Sequence, residues 1–433
     1  MTIQQLYDIY LHHPVITTDS RHCPAGSLFF ALKGDRFDGN RYAATALEQG
    51  CAYAVVDDAG IVPAGDERYL RCDDVLATMQ QLARHHRRQL ATPIIGITGT
   101  NGKTTTKELV AAVLARKYRT LYTEGNLNNH IGVPRTLLRL SKEHDMAVVE
   151  MGANHPGEIH TLVDIAEPDY GIITNVGLAH IEGFGSLEGV IRTKGELYDF
   201  LRNRPGSKIF LHQDNPRLTA IAAGIDAVRY GTDDNSHLDI AGRNDGCNPY
   251  LSFSWRTAEG PWHHVDTQLI GDYNIANLLA AVAVGCEFGI PADDICAALE
   301  AYKPTNNRSQ LLRTADNTLI VDTYNANLTS MTAALDNFHR LTGDHKWVIL
   351  GDMKELGDAS AEAHQQIVDR LGAMAPEQVW LVGSEFAKTH HSFRTFDNVD
   401  DVKAALQQQP PKGKLILVKG SNSMRLFELP PML

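Results

Sequence analysis

One stretch near residue 100 restricts the fold of this chain more than any other. The segment GITGTNGKTTTKEL occupies residues 96–109, follows the residues PII and runs into a helical pattern. A strand that leads through a glycine-containing loop into a helix beginning with Lys-Thr is typical of phosphate-binding loops. We therefore expect this loop at the end of a strand in a mostly parallel α/β sheet that has helices on both faces.

The loop departs from the spacing of the common P-loop, which has a glycine five residues before its Gly-Lys pair. Ile97 stands at that position, and the glycines are Gly99 and Gly102. Both glycines still permit backbone geometry that directs N–H groups at phosphate oxygens, and the helix dipole favours the anion. Lys103 supplies charge for the terminal phosphates, and Thr104 supplies a hydroxyl for Mg²⁺. The segment predicts ATP or GTP binding rather than a plain glycine turn, and it leaves the reaction open.

Length and charge narrow the classes of protein to which the chain can belong. Its 433 residues are too many for one ordinary hydrophobic core, so about two to four domains are expected. The formal net charge of −12 argues against a nucleic-acid binder, because a polyanion is repelled at long range. We interpret the basic run RHHRRQ, residues 84–89, as a solvated helix end.

The sequence carries no recognisable targeting segment. It begins MTIQQLYDIYLHH, without a basic region followed by an apolar block, and it has no apolar stretch long enough to span a bilayer. Its six cysteines are scattered without metal-type spacing, so they are expected to be buried thiols in a reducing compartment. We therefore expect a cytoplasmic protein without membrane insertion.

Breaks in the pattern divide the chain into three blocks. Residues 1–90 alternate short apolar runs with helical stretches and predict a small α/β domain. Residues 91–302 repeat strand, loop and helix, with RTLYT, MAVVEMG, YGIITNV and KIFL as strands, and predict a central sheet that is mostly parallel. Inside this block, residues 232–268 favour antiparallel strands, among them LSFSW and HHVDTQLI. Residues 303–433 contain TLIVDTYNA, KWVILGD, QVWLVG and KLILVKG, which predict a Rossmann-like, doubly wound domain.

Polar residues follow two of the predicted strands in the central block. Glu150 ends MAVVE, the place where a P-loop enzyme holds its metal, although Asp is more usual there. Coupled to the loop, it is expected to bind metal. Asn175 and His180 follow YGIIT, and Lys194 lies near the start of a later helix. Taken singly, such a histidine is most simply structural and such a lysine is most simply solvated.

Several motifs together resemble the Mur ligase family of cell-wall amide-bond-forming enzymes, in order and spacing, across nearly the whole chain. They are GTNGKTT, EMGANHPGEI, NVGLAHIEGFGS, TKGEL, GDYNIANLLAAVAV, NNRSQ and DTYNANLTSM. DTYNAN and LGDMKELG resemble the members that join D-alanyl-D-alanine to UDP-N-acetylmuramoyl-tripeptide, and the N-terminal block is similar to their UDP-substrate domain. The resemblance implies a ligase for peptidoglycan precursor synthesis, which uses ATP to form an acyl phosphate and releases ADP and phosphate.

The resemblance implies a site with two Mg²⁺ ions. Thr104 and Glu150 match positions on one ion, and His180 matches a position that helps to hold the second. Lys194 matches a lysine that the family carries as a carbamate formed with CO₂, which would turn this cation into an anionic metal ligand. Lys103 and the loop amides match the groups that hold the β- and γ-phosphates. The nucleotide-binding loop residues implied in this way are Gly99, Thr100, Asn101, Gly102, Lys103, Thr104 and Thr105.

The resemblance also implies where the remaining nucleotide atoms and the two partner substrates bind. Asn274 and Asn277 match positions near adenine. Arg308 and Asp322 match third-domain residues that close over phosphate and ribose, so this domain must rotate onto the central one. Ser20 and Arg21 match positions that meet the UDP portion. Asn126, Asn128 and Asn129 match a loop on the muramoyl-peptide side. Tyr324, Asn325 and Asn327 match the region of the D-alanyl-D-alanine end.

Some residues depart from the family pattern. Tyr273 stands where the family usually has His, Asn307 replaces a Gly, and Leu328 replaces the Pro that normally follows Asn-Ala-Asn. The final motif KGSNSMRLFE is less basic than its family counterpart, so Lys419 and Ser421 are weaker candidates for contacts.

Two other functions stay open at this point. Another ligase of the superfamily, adding the third residue or glutamate to folate, would share the loop, although DTYNAN and the UDP-type first domain argue against it. A P-loop ATPase switch without covalent products would need the loop and would not need Lys194. The family architecture implies a monomer, and the sequence does not identify the diamino acid of the tripeptide.

Overall fold

The computed structural model describes residues 1–232, 237–305, 308–343 and 345–433. The strands in this part of the chain form sheets of four, nine and six strands and a two-stranded ribbon. Across the same ranges, no helix has the length and apolarity needed to cross a membrane.

The first sheet is parallel and small. Its four strands lie in the order β1-β2-β5-β6, and a ribbon of β3 and β4 follows β2. The strands are β1 (Ile16–Thr17), β2 (Leu28–Phe30), β3 (Lys33–Gly34), β4 (Phe37–Asp38), β5 (Tyr53–Val56) and β6 (Tyr69–Arg71). The helices are α1 (Ile3–His12), α2 (Ala43–Glu48) and α3 (Val75–Gln89). The small α/β domain expected for this block is confirmed.

The nine-stranded sheet has the order β15-β14-β13-β12-β11-β10-β7-β9-β8. Its strands are β7 (Ile94–Thr98), β8 (Thr120–Tyr122), β9 (Met146–Glu150), β10 (Tyr170–Ile173), β11 (Lys208–His212), β12 (Ala227–Gly231), β13 (Ile240–Cys247), β14 (Tyr250–Thr257) and β15 (His263–Ile270). Along the sheet from β13 to β8, the six described pairings are parallel. The pairings β13–β14 and β14–β15 are antiparallel. The antiparallel segment that the sequence predicted is therefore an extension of the same sheet.

The helices of the central block cover this sheet and support the glycine loop. They are α4 (Lys103–Leu114), α5 (Gly132–Leu137), α6 (Glu158–Ala166), α7 (Ile181–Phe184), α8 (Leu187–Arg202), α9 (Pro216–Ile221), α10 (Ile275–Glu287) and α11 (Ala292–Ala301). Helix α10 is apolar on almost every face and buried, as such helices are. It packs closely on α4, because a Cβ at Gly285 would lie 2.8 Å from a Val113 side-chain carbon.

The six-stranded sheet has the order β16-β17-β21-β18-β19-β20. Its strands are β16 (Gln310–Arg313), β17 (Thr318–Asp322), β18 (Lys346–Gly351), β19 (Gln378–Val382), β20 (Arg394–Phe396) and β21 (Leu415–Lys419), and its helices are α12 (Leu328–Arg340), α13 (Ser360–Met374), α14 (Ser384–Ala387) and α15 (Val399–Gln408). Only the described pairing β16–β17 is antiparallel. The expected Rossmann-like architecture is confirmed.

The basic run at the end of α3 is only partly the solvated helix end that was expected: Arg88 and Gln89 are exposed, whereas His86 and Arg87 are buried. Arg87 is only 6% exposed; its guanidinium donates to a main-chain carbonyl at 3.2 Å and pairs with Asp169 at 2.8 Å. Arg84 and Arg88 both pair with Glu167. A buried guanidinium is stable where it is paired and hydrogen-bonded. The run therefore holds the first domain against the central one, through acidic partners that lie far away in the sequence.

The apolar core also crosses the predicted boundary at residue 90. Tyr10 and Leu82 from the first block share one cluster with Leu137 and Leu162 from the second. The Tyr10 hydroxyl donates to the carbonyl of Leu138 at 2.6 Å. The first and central blocks thus pack as neighbours with common apolar surface, and the boundary at residue 90 stays a prediction.

The six cysteines, all within the described ranges, are free thiols. Cys51 is buried as expected, whereas Cys23, Cys72, Cys247, Cys286 and Cys296 are only half-buried. The expectation of six buried thiols is therefore correct for one of them.

Candidate active site

A cavity of about 950 Å³ lies where the carboxyl ends of the central and C-terminal sheets face each other. Parallel pairing aligns the ends of β7, β9 and β10 at one edge, with Ile97 opposite Glu150 and Thr98 opposite Ile173. The predicted site residues that line the cavity are Thr100, Asn101, Gly102, Lys103, Thr104, Thr105, Asn126, Asn128, Asn129, Glu150, His180, Asn274, Asn277, Arg308, Asp322, Tyr324 and Asn325. The fold therefore gathers residues from both domains around one space.

The glycine loop has a geometry that requires its two glycines. Gly99 has φ +143° and Gly102 has φ +79°. A Cβ at Gly99 would lie 2.0 Å from Thr174 Oγ1, and a Cβ at Gly102 would lie 2.7 Å from Asn277 Oδ1. The loop is also fixed to the next strand, because the Asn101 N–H donates to Asn175 Oδ1 at 3.0 Å. The unusual spacing thus preserves a tight loop directly before α4.

We expect Gly99→Ala to disrupt this loop. The added methyl group would clash with Thr174 in a backbone conformation that L side chains rarely adopt. ATP affinity, measured by isothermal titration calorimetry, should fall at least about tenfold, which corresponds to ~1.4 kcal/mol. Gly125→Ala is the matched control, because Gly125 also has a positive φ of +53° and nothing within 4 Å of its added Cβ. Equal ATP affinity in the two variants would contradict the predicted role of Gly99.

Lys103 begins α4 and its side chain turns back onto the loop. Its Nζ donates to the carbonyls of Gly99 at 2.8 Å and Thr100 at 3.1 Å. Burial lowers the pKa of Lys103; the Glu150 carboxylate opposes this change and the Arg308 guanidinium reinforces it. A lysine held in this way lies among the loop amides, where the phosphates of a nucleotide are expected.

Glu150 is a buried carboxylate with one oxygen that accepts no hydrogen bond from the described residues. It is 1% exposed, and its Oε1 accepts from Thr104 Oγ1 at 3.2 Å and from Asn128 Nδ2 at 2.8 Å. Within the described residues its Oε2 has no hydrogen-bond partner, and Lys107 Nζ lies 4.0 Å away. A buried carboxylate oxygen without a donor is costly unless a cation meets it. The donor set of Glu150 and Thr104, both oxygen ligands, therefore fits Mg²⁺.

In the described ranges, no group of three or more His, Cys, Asp and Glu residues is arranged to hold a metal. A Mg²⁺ site does not require such a group, because this ion commonly binds through one or two carboxylates together with substrate phosphates and waters.

His180 lies directly before α7 and contacts the C-terminal domain. Its Nδ1 pairs with the Glu355 carboxylate, and this interaction with His180 holds the pKa of Glu355 below its usual range. Glu355 belongs to the LGDMKELG motif, which the sequence singled out without giving this residue a role. The contact joins two loops that are far apart in the sequence, so no local pattern revealed it.

Lys194 lies on α8 and is 2% exposed. Its Nζ donates to the carbonyl of Ala153 at 3.0 Å and lies 5.2 Å from the centre of the Phe184 ring. Burial lowers its pKa well below the usual value, and the positive charge of Lys103 adds to this effect. The sequence suggested a solvated lysine near a helix start, but Lys194 lies in the middle of α8 and its side chain is buried. A neutral amine is the form that reacts with CO₂.

The two asparagines predicted near adenine are buried and bonded within the protein. Asn277 Nδ2 donates to Asn274 Oδ1 at 2.9 Å, and Asn277 Oδ1 accepts from Thr106 Oγ1 at 3.1 Å. These bonds support the glycine loop from behind. The neighbouring Tyr273 hydroxyl bonds to Ser309 Oγ at 2.8 Å, so this departure from the family pattern makes a contact between the central and C-terminal blocks.

The C-terminal domain contributes a charged group and a stacked pair to the cavity. Lys419 is 1% exposed, and its Nζ donates to Asp322 Oδ2 at 2.6 Å and to the carbonyl of Asn325 at 3.2 Å. The Arg308 guanidinium carbon lies 3.7 Å from the centre of the Tyr324 ring. Lys419 thus has a clear structural role, although its motif was a weak match to the family.

Asn327 connects the C-terminal domain to the glycine loop. Its Nδ2 donates to Asn101 Oδ1 at 2.8 Å, and its Oδ1 accepts from the Ser330 N–H at 2.9 Å as the N-cap of α12. Leu328 is the first residue of this helix, a position where Pro is also favourable. The cap therefore keeps the start of α12 in place despite the departure at residue 328.

The remaining predicted substrate residues divide into two groups. Asn129 accepts from the N–H groups of Ile131 and Gly132 and shapes a turn beside Asn126 and Asn128. Ser20 and Arg21 do not line the cavity, and the exposed Arg21 pairs with Asp19 at 2.8 Å. Asn307 lies outside the described residues.

Sequence reasoning missed several residues that line or adjoin the cavity. His212 and Asn215 line it at the end of β11; the His212 ring stacks on Tyr230 with 5.3 Å between centroids. Gln80 from α3 lines it near the Asn-rich loop, and Lys107 lies behind Glu150. The only signal for His212 and Asn215 was their place after the strand KIFL, where polar residues in α/β sheets often meet ligands.

Three family models match the chain. They are the Mur ligase family catalytic domain over residues 13–87, the Mur ligase middle domain over residues 97–285 and the Mur ligase glutamate ligase domain over residues 307–422. The middle-domain match contains the glycine loop, Glu150, His180 and Lys194.

Individual relatives match over nearly the full length. The UDP-N-acetylmuramoyl-tripeptide--D-alanyl-D-alanine ligase of Bacillus subtilis is 35% identical over 426 residues, 96% of this chain and 92% of the relative. A crystal structure of MurF from Acinetobacter baumannii has a TM-score of 0.86 at 32% identity, covering 99% of this chain and 97% of that one. The MurF ligase of Thermotoga maritima in complex with ADP has a TM-score of 0.85 at 25% identity, covering 96% of each. The chain belongs to the Mur ligase family.

Proposed function

We propose that this protein is an ATP-dependent ligase that joins D-alanyl-D-alanine to UDP-N-acetylmuramoyl-tripeptide. The products are the UDP-linked pentapeptide, ADP and phosphate. The single observation that carries the proposal is the cavity, in which a phosphate loop faces third-domain residues Arg308, Asp322 and Tyr324. The activity named for the Bacillus subtilis relative supplies the substrates, and the ADP complex of the Thermotoga relative supplies the nucleotide.

The chemistry explains why ATP is needed. A carboxylate resists attack by an amine because it is negatively charged and has no good leaving group. Its oxygen attacks the γ-phosphorus of ATP, ADP leaves, and the substrate becomes an acyl phosphate. The dipeptide amine then attacks the acyl carbon and phosphate departs with the oxygen that the carboxylate contributed.

Residues of this chain hold the phosphoryl group in position and stabilise its charge during transfer. Lys103 and the amides of the loop hold the β- and γ-phosphates and stabilise negative charge that moves during the reaction. Arg308, from the opposite domain, adds a second positive charge. Closure of the two domains excludes water, which would otherwise hydrolyse the acyl phosphate.

Glu150 and Thr104 would hold a Mg²⁺ ion, with His180 and the carbamate of Lys194 at a second ion. The ions would supply neutralisation of charge on phosphoryl and carboxylate oxygens. The first assignment is supported by Glu150 Oε2, which accepts no hydrogen bond from the described residues. The lowered pKa of Lys194 supports the second, because a buried neutral amine can add to CO₂.

The substrates are assigned to opposite ends of the site. The UDP portion is proposed to meet the first domain at Ser20 and Arg21, with the muramoyl-peptide passing Asn126, Asn128 and Asn129. The D-alanyl-D-alanine end is proposed to meet Tyr324, Asn325 and Asn327. We also propose that the enzyme is a monomer and acts in the cytoplasm.

Mass spectrometry of the product tests the function. The protein is incubated with UDP-N-acetylmuramoyl-tripeptide, ATP, Mg²⁺ and D-alanyl-D-alanine, and single amino acids replace the dipeptide in parallel samples. We expect the pentapeptide product only with the dipeptide. Stimulation by one amino acid and not by the dipeptide would instead identify another ligase of the family. ATP hydrolysis that is independent of every acceptor would favour an ATPase switch.

A further inference from the structure

The central and C-terminal domains meet at a histidine–carboxylate pair beside the cavity. His180 lines the cavity from the loop after β10, and its Nδ1 pairs with Glu355 in the loop after β18. Both residues have left-handed backbone geometry, with φ of 53° at His180 and 64° at Glu355. Such geometry is uncommon for residues other than glycine and gathers at functional sites.

The pairing determines which nitrogen of His180 is available. A carboxylate only accepts hydrogen bonds, so its pairing with Nδ1 favours the ring form in which Nδ1 carries the proton. In the neutral ring, Nε2 is then the nitrogen with a free lone pair. A carboxylate on one ring nitrogen is the usual means by which a protein orients a histidine whose other nitrogen binds a metal.

The loop that carries Glu355 is fixed within its own domain. Asp352 is fully buried and accepts from the N–H groups of Glu385 and Phe386, each at 3.1 Å. His364 Nε2 accepts from the Met353 N–H at 3.0 Å. The position of Glu355 relative to His180 therefore changes whenever the C-terminal domain moves as a body.

We infer that Glu355 is a positioning residue that orients His180 and does so only when the two domains are closed. This inference rests on the proposed function, in which His180 faces a metal–phosphate site. It gives domain closure a chemical consequence, because the closed form supplies both the Arg308 charge and a correctly oriented His180. In an open form His180 would lose its carboxylate partner.

A double-mutant cycle tests the pair. The enzymes are wild type, Glu355→Ala, His180→Ala and the double variant, with Glu355→Gln as the conservative variant and Asp358→Asn as the control in the same loop. Asp358 is exposed, like Glu355. The readouts are kcat for product formation, the melting temperature, and Mn²⁺ affinity measured by electron paramagnetic resonance in the presence of a non-hydrolysable ATP analogue.

We expect Glu355→Ala to lower kcat and Mn²⁺ affinity by about ten- to hundredfold, the usual effect of removing such a partner. The double variant should be no worse than His180→Ala, since Glu355 acts through His180. Glu355→Gln should keep much of the activity because its amide oxygen still accepts from Nδ1, and Asp358→Asn should match wild type.

Two results would overturn the inference. One is a double variant whose loss equals the product of the two single losses, which would show that the residues act separately. The other is a Glu355→Ala enzyme with wild-type kcat and Mn²⁺ affinity. If wild type forms no pentapeptide while the Mn²⁺ cycle still shows coupling, the proposed function fails and the role of Glu355 stands.

Discussion

Replacing Lys194 with alanine is expected to reduce pentapeptide formation by about hundredfold or more, the effect of removing one group that stabilises charge in the transition state. The buried amine lies beside Ala153 and Phe184, and burial lowers its pKa, which favours the neutral amine that adds to CO₂. If the carbamate is the active form, a small carboxylate such as acetate should enter the space that alanine leaves. Activity should then return in part as acetate is added.

The control for this experiment is Arg192→Ala. Arg192 is an exposed cation two positions away on the same helix, so its removal should leave activity and melting temperature close to wild type. A Lys194→Ala enzyme that keeps most of its activity without any added carboxylate would refute the carbamate role. Loss of activity without rescue, together with a large fall in melting temperature, would indicate that Lys194 serves only to pack α8.

Replacing Lys103 with methionine is expected to have an effect of similar size. Methionine keeps most of the side-chain volume and removes the charge, so the phosphoryl group loses a cation that the loop carbonyls of Gly99 and Thr100 hold in place. We expect ATP affinity to fall about tenfold and kcat about hundredfold or more. Calorimetry of ATP binding and the rate of phosphate release with both substrates measure the two effects separately.

Lys142→Met is the control for Lys103→Met, because Lys142 is an exposed lysine of the same domain. Lys103→Arg should also fail, since the guanidinium is planar and larger than the ammonium. An enzyme with Met at this position and a normal kcat would exclude Lys103 from the transfer step.

Much of the fold followed from local sequence patterns. The runs PIIGIT, MAVVE and YGIIT become buried parallel strands, and helix α4 begins at Lys103 as the loop motif predicts. These predictions succeed because strand and helix periodicity, glycine positions and Lys-Thr chemistry are properties of neighbouring residues. Glu150 was expected to bind metal from its place after MAVVE, and the family resemblance put it with Thr104; the parallel pairing of β7 and β9 does bring the two side chains together.

The features that escaped prediction depend on contacts between distant segments. The pairing of Glu355 with His180 and of Arg87 with Asp169 joins different domains, and no local pattern encodes either pair. Asn277 was predicted near adenine from the family resemblance, whereas its position beneath Gly102 becomes visible only in the packed structure. Composition likewise could not distinguish a solvated RHHRRQ run from one that meets acidic partners.

The most direct measurement follows the oxygen of the carboxylate. UDP-N-acetylmuramoyl-tripeptide labelled with ¹⁸O in the reacting carboxylate is converted with ATP and D-alanyl-D-alanine, and the released phosphate and the peptide product are analysed by mass spectrometry. An acyl-phosphate mechanism at this site places one ¹⁸O in the phosphate and leaves the other in the new amide carbonyl. Phosphate without ¹⁸O, formed while the pentapeptide accumulates, would contradict it.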